Sequence, residues 1–235
     1  MRLQQTSIEY DDSFFPFYHL CHYLPLTAGI DTLSRSLLKF KRGKQPDLNT
    51  WIYSALQGLN DIPLSPDTTI IRALSHNETL VAQSLDPQAQ SPQLFSSEPG
   101  PSPLDRLGQT LAAHFHCHYR PYILRKSRPT LSNKGLDRHQ RETQLKNVYS
   151  IAPEALAPQT LPAASPNAPA PLSIAAFMPA SGHPPPFLLI DDIFTTGATI
   201  RAIIHTLRQN FPLSPLQIFT LAKADYTPIP GQPTP

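Results

Sequence analysis

One segment constrains this chain more than any other. Phe187-Leu188-Leu189-Ile190 is an uninterrupted apolar run, and Asp191-Asp192 follows it directly. Then come Ile193-Phe194, the small hydroxyl-rich stretch Thr195-Thr196-Gly197-Ala198-Thr199, and Ile200, Ile203, Ile204 and Leu207 at helical spacing. A short, fully apolar run reads as a strand buried on both faces, and the spacing after it reads as an amphipathic helix. Strand, loop and helix in that order form half of a βαβ unit. The chain is therefore expected to fold as α/β, with a mainly parallel central sheet flanked by helices.

The same segment carries the candidate chemistry. In an open parallel sheet, ligands bind beyond the carboxyl ends of the strands. A loop ahead of a helix offers an anion unpaired N–H groups and the positive end of the helix dipole. Gly197 and Ala198 let the backbone close on a phosphate, and Thr195, Thr196 and Thr199 add hydroxyls. Asp191 and Asp192 would repel a phosphate, so they need another task. Accepting hydrogen bonds from a ribose diol, or holding a hydrated Mg2+, suits their charge and position. Together these residues describe a site for a phosphorylated sugar.

The remaining elements follow from periodicity. Ile30, Leu33, Leu37 and Leu38 predict a helix that runs through Lys39-Phe40-Lys41-Arg42 and stops at Gly43. Leu48, Trp51, Ile52, Ala55, Leu56 and Leu59 predict a second, with Asp47 as N-cap and Trp51 in the core. Thr68–Leu74 reads as a buried strand. Ser102-Pro103-Leu104-Asp105 is a helix start: a capping serine, proline at the first position and an acid three residues after the serine. Leu104, Leu107, Gly108, Leu111 and Phe115 form that helix's apolar face. Further strands are expected at 122–124, 147–151, 173–177 and 216–221.

Proline separates core from insertions. Of the 28 prolines, 21 fall in 84–103, 151–186 and 212–235. The expected organisation is an N-terminal helical region or hood over 1–62, a main domain over 63–222 with loop insertions at 84–101 and 152–171, and a Pro-rich tail over 223–235. Two cysteines, Cys21 and Cys117, are too few for a disulfide framework or a four-cysteine zinc module. His114, His116, Cys117 and His118 look like ligands, but on a helix His116 points away from the other two histidines and no acid completes a set. His76 lies near the expected site, and its spacing assigns it no role. The apolar runs are too short to cross a membrane, and the N-terminus lacks an apolar leader, so a cytoplasmic protein is expected. Net charge is only +2, yet residues 120–146 hold eight cations against two acids. The positive charge is local.

The 187–199 segment resembles the phosphoribosyl pyrophosphate (PRPP) loop of type I phosphoribosyltransferases. Lys39-Phe40-Lys41, the strand ending in Arg72-Ala73-Leu74, the helix over 104–118, and Arg128-Pro129-Thr130 through Arg141 to Asn147 follow the order of the ComF (competence protein F) group. The resemblance covers about residues 20–222. It implies a type I phosphoribosyltransferase-like fold, PRPP as substrate and Mg2+ as cofactor. It implies the 5-phosphate in Thr195–Thr199, and the ribose hydroxyls and the metal on Asp191 and Asp192, the catalytic acids. It implies pyrophosphate contacts at the turn after Arg72 and Ala73 and on a mobile basic loop, with Arg128, Lys134, Arg138 and Arg141 as candidates, because arginine's fork matches phosphate oxygens. ComF proteins often carry an N-terminal four-cysteine zinc module. Cys21 has only His19 and His22 nearby, so none is expected here. Thr195 stands where 6-oxopurine enzymes have an Asp, which argues against that subclass.

Two functions remain open on this reading. One is a phosphoribosyltransferase acting on an unidentified acceptor, a nucleobase or another amine. The other is a non-catalytic module that binds PRPP or a nucleotide, or associates with single-stranded DNA through the basic segment. A homodimer is compatible with either.

Overall fold

The apolar run at 187–190 forms the strand around which the other elements are arranged. The structure is a computed structural model and describes residues 1–24, 31–75, 78, 101–130, 138–152 and 185–224. The strands are β1 (Gln4–Tyr10), β2 (Ser13–Tyr23), β3 (Thr69–Arg72), β4 (His118–Tyr119), β5 (Leu124–Lys126), β6 (Tyr149–Ile151), β7 (Phe187–Phe194) and β8 (Leu216–Ala224). The helices are α1 (Thr32–Lys41), α2 (Asp47–Leu59), α3 (Pro103–Phe115), α4 (Arg138–Leu145) and α5 (Ala198–Asn210). Six strands form one sheet in the order β1-β2-β8-β7-β3-β4, while β5 and β6 pair as a separate antiparallel ribbon. Within the large sheet the β1–β2 pair is antiparallel and every other pair is parallel. This is the α/β architecture, with a mostly parallel sheet between helices, that the alternation of elements predicts.

Successive side chains of β7 feed two cores. Phe187 and Leu189 join residues of α5, α4 and the β5–β6 ribbon on one face. Leu188 and Ile190 join residues of α1, α2 and α3 on the other. All four are essentially buried. Each such side chain contributes roughly 1.5–3 kcal/mol on leaving water, so an uninterrupted apolar strand is stable only with helices on both faces. Trp51 lies in the second core, and its indole N–H donates to Ser36 Oγ at 3.1 Å.

Helix ends follow local chemistry. The capping box of α3 is complete, with Ser102 Oγ accepting from Asp105 N and the Asp105 carboxylate accepting from Ser102 N. Asp31 caps α1, accepting from Ser34 N at 2.6 Å, and Gly43 beyond its end has φ +67°. Asp47 is not the N-cap of α2. It is the first helical residue, and its carboxylate accepts from Ser36 Oγ at 2.6 Å. There it still suits the positive end of the helix dipole.

The N-terminal region departs most from expectation. Residues 1–62 are not wholly helical: β1 and β2 form a hairpin that adds to the sheet edge beside β8. Its turn residues Asp11 and Asp12 both have left-handed backbones, φ 45° and 58°, the conformation of tight hairpin turns. Pro16 within β2 masks the strand in the sequence, since proline argues against a strand interior. The strand expected at 122–124 lies at 124–126. The next begins at Tyr149 because Asn147 turns with φ 55°. β7 continues through the acid pair, and β8 runs to Ala224, past the boundary expected for the tail. Ala152 is buried and donates its N–H to Ile123 O at 2.8 Å, so it belongs to the core and not to an insertion. The strand expected at 173–177, His76, residues 84–100 and 153–171 of the insertions and residues 225–235 of the tail lie outside the described residues. No helix among the described residues is long and apolar enough to cross a membrane.

Candidate functional site

β3 and β7 are parallel neighbours, with Thr69 level with Phe187 and Arg72 level with Ile190. The chain leaves β3 through α3 and returns as β4 on one side. It leaves β7 through α5 and returns as β8 on the other. Connections that diverge from adjacent parallel strands open a crevice at their carboxyl ends, where ligands of open α/β sheets bind. Asp191 and Asp192 lie at the β7 side of that crevice.

The two acids face opposite layers. Strand alternation puts Asp191 with Leu189, toward α5 and the ribbon, and Asp192 with Ile190, toward α1. Lys41, at the end of α1, reaches Asp192 Oδ2 at 3.0 Å. The Asp192 N–H donates to Asp191 Oδ1 at 2.8 Å. Burial, helped by the neighbouring Asp192 charge, pushes the Asp191 carboxyl up to about 7, against the pull of Lys41 and Lys126. Burial opposes the Lys41 charge, but Asp192 and Asp191 outweigh it and hold its ammonium above the usual lysine range.

The loop after the acids is shaped by Gly197. It has φ +77° and precedes α5, whose N-cap makes no side-chain hydrogen bond and whose first turn has no acid. A Cβ at 197 would lie 2.6 Å from the Phe194 ring and 2.8 Å from the Arg201 guanidinium, so both backbone and space require glycine. Arg201 donates to Thr196 O at 3.0 Å, pinning the loop to the helix it precedes. Gly197 and Ala198 are buried, whereas Thr195, Thr196 and Thr199 are part-exposed. Backbone N–H groups at this end of α5 have the arrangement that receives an anion.

Arg72 is placed differently from expectation. Only 2% exposed, its Nε donates to Asp105 Oδ1 at 2.6 Å, and its two terminal nitrogens donate to Glu78 at 2.9 and 2.8 Å. Asp105 also accepts from the Tyr119 hydroxyl at 2.7 Å. Burial opposes the charges of Glu78 and Asp105, but Arg72 and their other hydrogen bonds hold both below the usual carboxylate range. Held by these partners, the guanidinium anchors the turn after β3. The Ala73 N–H is likewise committed, donating to Ile190 O at 2.9 Å.

The basic segment divides in the same way. Arg128 is exposed and donates to Gln144 O at 3.3 Å, linking the two ends of the segment. Arg138 and Arg141 fall in α4, and Lys134 lies outside the described residues. Lys126, which periodicity leaves unremarked, is 2% exposed, and its Nζ donates to Ser75 O at 2.7 Å. Lys41 and Lys126 are thus two cations that act on the acid pair, and the sequence reading gives neither a role at the site. Lys41 reads there as one of several charges at a helix end. Lys126 is visible only once β5 is placed at 124–126, where it shares the buried face with Leu124.

Among the described residues no group of three or more His, Cys, Asp or Glu is placed to hold a metal. His114 at the end of α3 pairs with Asn60 Oδ1 at 3.2 Å. Comparison of the chain with protein-family models and with curated proteins returns no match.

Proposed function

We propose that this chain binds PRPP with Mg2+ and transfers its phosphoribosyl group to an acceptor, releasing pyrophosphate, on a type I phosphoribosyltransferase-like fold. The observation that carries the reading is the acid pair at the crevice between β3 and β7, followed at once by a glycine-shaped loop at the start of α5. One end of the site suits a phosphate and the other a diol. The 5-phosphate takes the N–H groups and hydroxyls of 195–199, and the ribose hydroxyls bond to Asp191 and Asp192. Two adjacent carboxylates are hard oxygen donors that fit Mg2+, which keeps most of its waters or takes substrate oxygens. Bound there, the metal would neutralise diphosphate charge.

The anomeric carbon then lies above the carboxyl ends of β3 and β7. Its bond to the diphosphate oxygen breaks as a bond to the acceptor's nucleophilic atom forms, through an oxocarbenium-like state. The protein contributes orientation and fixed charge, which suffice for large accelerations without covalent catalysis. The basic segment, joined to this wall through β5, is the source of further cations for the departing diphosphate.

The test is a melting experiment followed by a turnover assay. Mg2+ with PRPP should raise the melting temperature, because a ligand held only by the native state stabilises it by mass action. Asp192→Asn should weaken that response. Pyrophosphate release with candidate nucleobases and amines then identifies the acceptor. If wild type, Asp191→Asn and Asp192→Asn respond identically to PRPP, the acid pair does not hold the sugar. A response to PRPP without pyrophosphate release from any acceptor would favour the binding-module reading.

A further inference from the structure

Lys126 is a cation that the reading above leaves without a task. A buried ammonium costs several kcal/mol unless its protons and charge are met. Here Nζ donates to Ser75 O at 2.7 Å, has Thr130 Oγ1 at 3.5 Å, and lies 5.4 Å from the centre of the Tyr149 ring. The charged groups facing it are Glu78 beyond β3, Asp191 on β7 and Arg72 on β3. Ser75 is gripped from both ends. Its N–H donates to Glu78 Oε2 at 2.6 Å, and Glu78 is in turn held by Arg72. Its carbonyl is held by Lys126. The elements joined in this way are the turn after β3, which walls the crevice, and the β5–β6 ribbon, which bounds the basic segment.

We propose that Lys126 is a positioning residue of this site: it ties the turn after β3 to the base of the basic segment. The identity of the ligand rests on the reading above; the tie itself does not. Replacing the ammonium by an apolar chain of similar length removes the grip on Ser75 O. The two walls of the crevice then move independently of each other.

Amide hydrogen exchange on the ligand-free chain tests this. In Lys126→Met, exchange should accelerate about tenfold, the loss expected for a bond to a charged donor, in both 73–75 and 127–130, with β7 and α5 unchanged. Lys126→Arg, which keeps a charged donor, should return both segments toward the wild-type rates. Acceleration in one segment alone, general acceleration that includes β7 and α5, or rates that Lys126→Arg does not restore would each overturn the proposal. Should Lys126→Met not fold, wild type decides: 73–75 and 127–130 should open with the same free energy, and different values overturn the proposal. Melting of wild type with Mg2+ and PRPP runs in parallel. No shift there removes the proposed ligand while the tie, read without ligand, stands or falls on its own result.

Discussion

Lys41 Nζ lies 3.0 Å from Asp192 Oδ2, joining the last turn of α1 to the carboxyl end of β7. The lysine is 43% exposed and the aspartate 19%, so the pair borders solvent and can be opened by a ligand. It places one positive charge beside two acids that the proposed function assigns to a sugar and a metal. Lys41→Met should therefore tighten Mg2+ binding several-fold at pH 8, because a like charge no longer opposes the ion. It should also raise the Asp191 midpoint, since Lys41 favours the ionised form. Calorimetric Mg2+ titration checks the first effect. Unchanged affinity would show that Lys41 does not neutralise the pair.

Mg2+ binding should depend on pH through Asp191. A metal takes the ionised carboxylate, and this one gains its proton at about pH 7 because of burial and the adjacent Asp192. Affinity should rise between pH 6 and 8, with a proton released on binding near pH 7. The stability sign is opposite. The folded midpoint lies above the ordinary aspartate value of 3.8, so the folded state binds the extra proton between the two values. The stabilisation is present at low pH and is lost as pH rises toward 7. Asp191→Asn should gain stability relative to wild type across that window, and a flat difference in urea midpoints would contradict the assignment.

Arg72 should matter for folding more than for ligand binding. Its removal leaves Glu78 and Asp105 as buried, unpaired carboxylates, a loss of about 3–5 kcal/mol in comparable buried pairs. Arg72→Met should thus unfold at much lower urea, with the stability deficit shrinking at acid pH as the carboxylates take up protons. Glu78→Gln should cost less, since the amide still accepts from Arg72. A Met variant as stable as wild type would mean that the network carries little energy.

The unit from β7 into α5 is legible in the sequence because its signals agree. An apolar run, two acids, a glycine needed at positive φ and an Ile-x-x-Ile-Ile pattern all specify strand, loop and helix. The capping box at Ser102 is legible for the same reason. Arg72 is not. A cation ending an apolar strand reads as a ligand contact, and its partners stand 6 and 33 residues away, out of reach of local pattern. Lys126 is hidden because the expected strand stops at 124, two residues short, which leaves it outside any element. The N-terminal hairpin escapes because Pro16 interrupts its aromatic run in any propensity reading. Tertiary contacts therefore decide the charged half of the site, and local sequence decides its phosphate half.

Gly197→Ala tests the phosphate half. At φ +77° an alanine costs about 1–2 kcal/mol from the backbone alone, and its methyl would press on the Phe194 ring. The loop must then open or shift. The expected result is a lower melting temperature together with loss of the response to Mg2+ and PRPP. A variant that melts lower but keeps the full PRPP response would remove this loop from the binding site.

The last prediction concerns His19, level with Thr220 on β8, which is itself level with Asp191. The ring is 1% exposed, stacks on Phe17 at 5.4 Å, and neither of its nitrogens has a hydrogen-bond partner among the described residues. Burial, with the charges of His22 and Lys223, brings it down to about 4. The folded state therefore refuses a proton that the unfolded chain accepts near pH 6.5. Its contribution is intact above that value and is lost as pH falls toward 4, a change on the order of 2–3 kcal/mol. Asp191 acts in the opposite direction over part of this range, so the slope of wild type alone does not isolate the histidine. His19→Phe keeps the stacking on Phe17 and removes the titration. The difference in urea stability between His19→Phe and wild type cancels Asp191, which both chains share. That difference should grow steadily in favour of His19→Phe from pH 7 to pH 4.5. A difference that stays constant with pH would show that the ring reaches water or a partner.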